Sequence, residues 1–196
     1  MNPIWQLCEF KKPLILASTS PRRAAILKGI DLPFEVAAPK YDEEPYSQWD
    51  AGELLLKKAV QKAESVKGDW ADHAILSADT IVLLNRKVFG KPRDAEEAEE
   101  MLTALSGRTH HVWSSLCYIP EWHGEVRTTT CRTKVNFRNF TDKEIKAYVS
   151  TGDPLDKAGG YGIQSIGGLW VQNIQGCYFN VVGLPLSQLW DLIRAS

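Results

Sequence analysis

The chain has 196 residues, 44% hydrophobic and 24% charged, and its 23 Lys and Arg against 24 Asp and Glu leave a net charge of −1. A domain of this size buries roughly 70% of its unfolded surface, so its core needs no disulfide or metal staple. The near-neutral balance argues against a strongly basic nucleic-acid binder and against an acidic disordered tail.

The opening MNPIWQLCEFKK has neither the apolar core nor the small-residue cleavage site of a secretory signal, and residues 1–12 read as an extension ahead of a domain spanning 13–196. Leu14–Ala17 reads as a short buried strand. Ser20 and Pro21 mark a helix start, with the serine hydroxyl expected to accept from free N–H groups, and Gly29 marks its end. A strand is expected before Asp42. A second helix fits Ala51 to about Val66, with Leu54, Leu55, Ala59 and Ala63 inward. HAILSADTIVLLN reads as a central strand interrupted by the polar group Ser77-Ala78-Asp79-Thr80.

Asp94 to Glu97 opens a helix with Met101, Leu102 and Leu105 on its inner face. THHVWSSLCYIP and the stretch from Glu125 to Phe137 alternate like paired antiparallel strands. Thr141 with Glu144 is a capping box for a helix through Tyr148. The glycine-rich stretch from Gly152 to Gly168 reads mostly as loop, followed by a strand near Leu169–Ile174 and a helix over about Pro185–Arg194. Interleaved elements with paired middle strands predict a single α/β domain around a mixed, partly antiparallel sheet flanked by helices.

Cys8, Cys117, Cys131 and Cys177 form no CxxC pair, which fits thiols in a reducing cytoplasm better than a zinc ribbon or a disulfide framework. No run approaches the ~18 apolar residues of a membrane helix.

Four groups of residues can carry chemistry. Ser18-Thr19-Ser20-Pro21-Arg22-Arg23 joins a strand to a helix N-terminus, where free N–H groups, hydroxyls and guanidiniums suit a phosphate. Taken alone it reads more readily as a helix cap with two solvated arginines, because such caps are common. Asp79 lies inside an apolar run, where a carboxylate is expensive to bury unless it is paired, hydrogen-bonded or bound to metal. It can hold a divalent cation or take a proton from water, and the bland alternative is a turn cap. Asp42, Glu43 and Glu44 are an ordinary solvated run unless one of them converges with Asp79 on Mg²⁺. Lys62, on the inner side of the predicted helix, and Lys91 offer further charge for phosphate, although taken singly each lysine reads more readily as a surface charge.

In Asp156-Lys157-Ala158-Gly159-Gly160-Tyr161-Gly162-Ile163-Gln164 the glycine spacing matches neither the dinucleotide fingerprint nor the P-loop. The planar amide of Gln164 can pair with a pyrimidine edge. His110-His111 lacks the H-E-x-x-H spacing, and no G-x-S-x-G elbow occurs, so a Ser-His-Asp hydrolase has no support.

In order, LILASTSPRR, Lys62-Ala63, SADTIVLLN, GKPRDAEEA, MLTALSGRTHHV, YVSTGDPLDKAGGYGIQ and NVVGLPL resemble the Maf family of nucleoside triphosphate pyrophosphatases over about Leu14 to Leu186. Arg22, Thr80 and the DKAGGYGIQ segment are similar to the subgroup acting on dTTP and UTP. The resemblance implies a cleft between two lobes and hydrolysis of a triphosphate to monophosphate and pyrophosphate. It implies Asp79 as proton acceptor and as a metal ligand with Glu43, and a divalent Mg²⁺ or Mn²⁺ ion. Ser18, Arg22, Arg23, Lys62 and Lys91 would grip the triphosphate, and Arg22, Thr80 and Gln164 would set base preference. The expected partner is the nucleotide, with no nucleic acid and no membrane, and a homodimer follows only from the family likeness. A different class of function, a nucleotide-binding regulator of cell division without turnover, is the competing expectation.

Overall fold

In a computed structural model, which describes residues 2–8, 13–40, 51–120 and 124–194, the chain begins with a short helix α1 (Pro3–Gln6) and strand β1 (Leu14–Ala17). Helix α2 (Pro21–Gly29), β2 (Phe34–Ala37), α3 (Ala51–Lys67), β3 (Ile75–Leu84), β4 (Lys87–Phe89) and α4 (Ala95–Leu105) follow. The long pair β5 (Thr109–Ile119) and β6 (Arg127–Phe137) leads to α5 (Asp142–Val149), β7 (Val171–Gln175), α6 (Tyr178–Val182) and α7 (Leu186–Arg194). No helix among the described residues is long and apolar enough to cross a membrane.

Among the described residues seven strands form one sheet in the order β2-β1-β3-β5-β6-β7, with β4 also paired to β3. β1 runs parallel to β2 and β3, and every other pair is antiparallel. The sheet is mixed, as the interleaved pattern predicts.

β3 sets up everything that follows. On one edge it pairs with β5 without a break from Ile75 to Leu83. On the other it pairs with β1 over Ile75–Ser77 and with β4 over Val82–Leu84. Ala78–Ile81 therefore lies between two neighbouring strands on that edge, which leaves a notch in the sheet at Asp79 and Thr80. The expected interruption of the strand at SADT does not occur: the polar residues stay in extended backbone because the β5 ladder continues beside them. The break is in the partner strands instead.

The side-chain period of two sends Ser77, Asp79 and Ile81 to one face and Ala78, Thr80 and Val82 to the other. On the first face α3 covers the sheet, with Ala59, Ala63 and Val66 against Ile15, Ala17, Ile75 and Cys117, and Leu55 against Ile81. Leu54 is only half-buried, so the inward stripe of α3 runs through Leu55, Lys58, Ala59, Lys62 and Ala63 instead.

The second face carries two apolar clusters. One joins β1 and the start of β3 to α2, α6 and α7, and the other joins Val82, Val112 and Phe137 to α4 and α5. Burying a single Leu or Phe in such a cluster contributes about 1.5–3 kcal/mol.

Local signals explain several boundaries. Thr141 and Glu144 make the full reciprocal capping box, and Asp94 accepts from the Glu97 N–H at 2.8 Å. Ser20 does not cap α2 through its side chain. Its own N–H donates to Ser18 Oγ at 3.2 Å, and Pro21 opens the helix without help from a hydroxyl. α6 and the β3–β4 hairpin are additions to the sequence reading, and the hairpin turns on Asn85 with φ 58°.

Residues 152–170 coil into three 3₁₀ turns (Asp153–Asp156, Ala158–Gly160 and Ile166–Trp170). Gly159 adopts φ +71° there, and a Cβ at this position would lie 2.9 Å from a Val82 methyl, so both backbone and space require glycine. Beneath the loop His110 is fully buried between Phe137 and Tyr161, with Nε2 2.8 Å from the Tyr161 hydroxyl. Burial, aided by the charge of His111, lowers its pKa to about 3.

The segment before β1 also packs. Trp5 is buried, donates its indole N–H to the Ile30 carbonyl at 2.8 Å, and stands edge-on to Trp190 with centroids 5.9 Å apart. Ile30 is the C-cap of α2, so that carbonyl is one of the open acceptors at the helix end.

Candidate active site

The notch opens into a cleft of about 1050 Å³ whose lining draws on both faces of the sheet. Such a volume lies at the upper end of the range for small-molecule pockets. Its floor is Asp79 and Thr80, and one wall is the β1–α2 connection Ser18–Arg23. Lys58 and Lys62 of α3 and the rim residues Gly90 and Lys91 flank it, with the 153–165 loop opposite.

Charge is distributed unevenly. Arg22, Arg23, Lys58, Lys62, Lys91, Arg93 and Lys157 line the cleft against Asp79, Asp153 and Asp156, although the whole chain is close to neutral. Low-dielectric walls lined by one sign of charge concentrate ions of the opposite sign, so this space attracts a polyanion.

Among the described residues Asp79 and Lys62 form the deepest ion pair, with Lys62 Nζ 2.6 Å from Asp79 Oδ1 and both side chains about nine-tenths buried. The helical period places Lys62 here, one turn after Lys58 and on the inner stripe of α3. Ser77 fixes the same strand by donating to the Ala59 carbonyl. The carboxylate that looked expensive from sequence is thus paired, as burial requires.

Arg23 is also buried and works as a three-way tie. Its Nε donates to the Gly183 carbonyl at 2.9 Å, Nη1 to Ser18 Oγ at 3.0 Å and Nη2 to Thr80 Oγ1 at 3.1 Å. Thr80 Oγ1 in turn lies 2.9 Å from Ser114 Oγ, which donates to the Asn180 carbonyl at 3.3 Å. Ser18 and Thr80 thereby share one guanidinium, and this chain anchors the floor of the cleft to α6.

Arg22 points across the cleft to the opposite loop. Its Nη1 contacts Asp156 Oδ2 at 2.6 Å and its Nη2 donates to the Asp156 carbonyl at 2.9 Å. Lys91 and Gln164 are exposed at the rim, and both line the cleft. Ser18, Arg22, Arg23, Lys62, Asp79, Thr80, Lys91 and Gln164 therefore converge on one space. Asp42, Glu43 and Glu44 lie outside the described residues. Among the described residues no three His, Cys, Asp or Glu side chains gather as a metal cluster.

Sequence reasoning missed Lys58, Ser114, Asp153 and Lys157. Lys58 had a signal, since it shares a helical stripe with Lys62. The others depend on contacts between segments far apart in the chain. Burial raises the proton affinity of Asp153 and Asp156, but the hydrogen bonds they accept outweigh it and hold both below the usual carboxylate range.

A family model described as Maf-like protein matches residues 13–196. The chain is 43% identical over 183 residues to a dTTP/UTP pyrophosphatase of Desulforamulus reducens, covering 93% of this chain and 96% of that one. It is 46% identical over 181 residues to a dTTP/UTP pyrophosphatase of Carboxydothermus hydrogenoformans, covering 92% and 97% respectively. A Bacillus cereus protein of the same name is 43% identical over 180 residues, 91% of this chain and 92% of its own.

Proposed function

The chain belongs to the Maf family, and on that premise we propose that it is a nucleoside triphosphate pyrophosphatase that converts dTTP and UTP, with water, to the monophosphate and pyrophosphate. The observation that carries the reading is Asp79, a carboxylate kept beside Lys62 on the floor of a mostly cationic cleft. Residues 13–196 are the proposed catalytic unit, with 1–12 as an extension. We place the activity in the cytoplasm, which the four free cysteines support.

In this reading Asp79 takes a proton from the water that attacks the α-phosphorus. The new P–O bond forms as the bond from that phosphorus to the α–β bridging oxygen breaks, and pyrophosphate leaves with that oxygen. Lys62 holds the Asp79 carboxylate in place. Ser18, Arg23 and Lys91, together with the N-terminus of α2, receive the phosphates, so catalysis rests on positioning and charge stabilisation. Arg22, Thr80 and Gln164 select the base, with the Gln164 amide pairing to N3–H and a carbonyl of uracil or thymine.

The donors suit a hard divalent ion, Mg²⁺ or Mn²⁺, because a carboxylate oxygen faces the space proposed for phosphate oxygens. Asp79 would hold it together with Glu43. When bound, such an ion supplies charge neutralisation on the phosphates and a more acidic water.

Purified protein with Mg²⁺ and dTTP or UTP is expected to release pyrophosphate, EDTA to stop the release, and Asp79→Asn to lower kcat by about 10²–10⁴-fold. Orthophosphate as the sole first product would overturn the reading.

A further inference from the structure

The two walls of the cleft are fastened together by a run of charged groups, of which only Arg22 has so far been given a role. Arg22, on the first turn of α2, spends both terminal nitrogens on Asp156, one on the carboxylate and one on the backbone carbonyl. The second carboxylate oxygen of Asp156 accepts from Lys157 Nζ at 2.7 Å. That ammonium also donates to Asp153 Oδ1 at 3.0 Å and to the Asp153 carbonyl. Asp153 Oδ2 accepts from the Tyr148 hydroxyl at 2.5 Å and from Ser165 Oγ at 2.6 Å. Ser165 is the neighbour of Gln164. The stem of Lys157 passes so close to the loop that a Cβ on Gly162 would lie 2.6 Å from Lys157 Cε and 2.7 Å from Ser165 Oγ. An unbroken path of charge-assisted hydrogen bonds thus runs from the helix at the phosphate wall to the residue beside the base-reading amide.

We propose that Asp156 is a positioning residue for base selection: by gripping Arg22 and Lys157 at once, it sets where Gln164 stands relative to α2. The proposal rests on the pyrophosphatase reading for the identity of the ligand. Arg22 then acts on base preference through the loop it holds, since its guanidinium cannot turn toward a nucleotide without giving up two bonds to Asp156. The middle of the path is sheltered, with Lys157 92% buried, whereas the Asp156 side chain is 54% exposed. Exposed ion pairs add little to stability, so loss of Asp156 acts on geometry more than on folding.

The test measures binding of non-hydrolysable α,β-methylene analogues of dUTP and dCTP by calorimetry, with melting temperatures recorded in parallel. Asp156→Ala is expected to weaken the uracil analogue about tenfold and to lower the preference for uracil over cytosine by a similar factor, with Asp156→Asn in between and melting nearly unchanged. Where turnover is measured, KM rises and kcat stays within about threefold, as for loss of an interaction made equally in the ground and transition states. Binding within about twofold of the parent, or equal losses on both bases with a lower melting temperature, would overturn the proposal. So would a parent chain that shows no preference between the bases. A parent that binds and discriminates but releases no pyrophosphate removes the enzymatic reading and leaves this inference intact.

Discussion

Lys62→Met keeps the aliphatic stem of the side chain and removes the ammonium 2.6 Å from Asp79 Oδ1. Unit charges about 4 Å apart attract by about 4 kcal/mol at an effective dielectric of about 20. Removing one partner of a fully buried pair costs about 3–5 kcal/mol, because the other charge stays behind in a poor solvent. Asp79 borders an open cleft, and the side chains keep 9% and 12% of their exposure, so water recovers part of that loss. The expected destabilisation is about 2–3 kcal/mol, or about 4–12 °C in melting temperature for a chain of this size. Scanning calorimetry near neutral pH checks it. The double variant Lys62→Met with Asp79→Asn removes both charges and should regain more than half of the loss, while releasing no more pyrophosphate than either single variant. Lys62→Met melting with the parent, or a double variant no more stable than Lys62→Met, would refute the view that the floor of the cleft is held by this pair.

Stability is expected to fall as pH drops from about 6.5. An unfolded His110 takes up a proton there, whereas the buried ring in the native state resists until about pH 3, so the unfolded chain binds more protons throughout that window. Between pH 7 and 5 the loss is about 2 kcal/mol, measurable by urea unfolding, and His110→Gln should remove this component. Gly159→Ala places a methyl about 2.9 Å from Val82 at a positive φ, and should cost about 2–4 kcal/mol in thermal unfolding. Combining it with Val82→Ala should relieve part of the overlap, since the Cβ of residue 82 stays about 3.1 Å away, but not the backbone strain.

Much of this architecture was legible in the chain because its causes are local. Thr141 and Glu144 announce a helix through their own hydrogen bonds, and the apolar run Leu14–Ala17 announces a buried strand. α6 was not legible: five residues are too few for a helical period, and it is held by packing and by the network through Asn180. Ser77-Ala78-Asp79-Thr80 misled for a physical reason. Polar residues in an apolar run usually mean a turn, but here the strand continues and its neighbours stop, which no spacing within the segment reveals. The site divides in the same way. Asp79 stood out by the cost of its burial, and Lys62 by its helical face. The link from Arg22 to Asp156 spans 134 positions, and only the assembled sheet brings the two together.

The indole of Trp5 carries the packed perimeter of the molecule past the edge of the family match. The family match starts at residue 13, yet Trp5 seals the end of α2 and shields Trp190 of the last helix. A chain trimmed to the shared boundary would bare a ring and strip a carbonyl of its donor. Anyone shortening it for crystallisation would be removing a wall, not a tail.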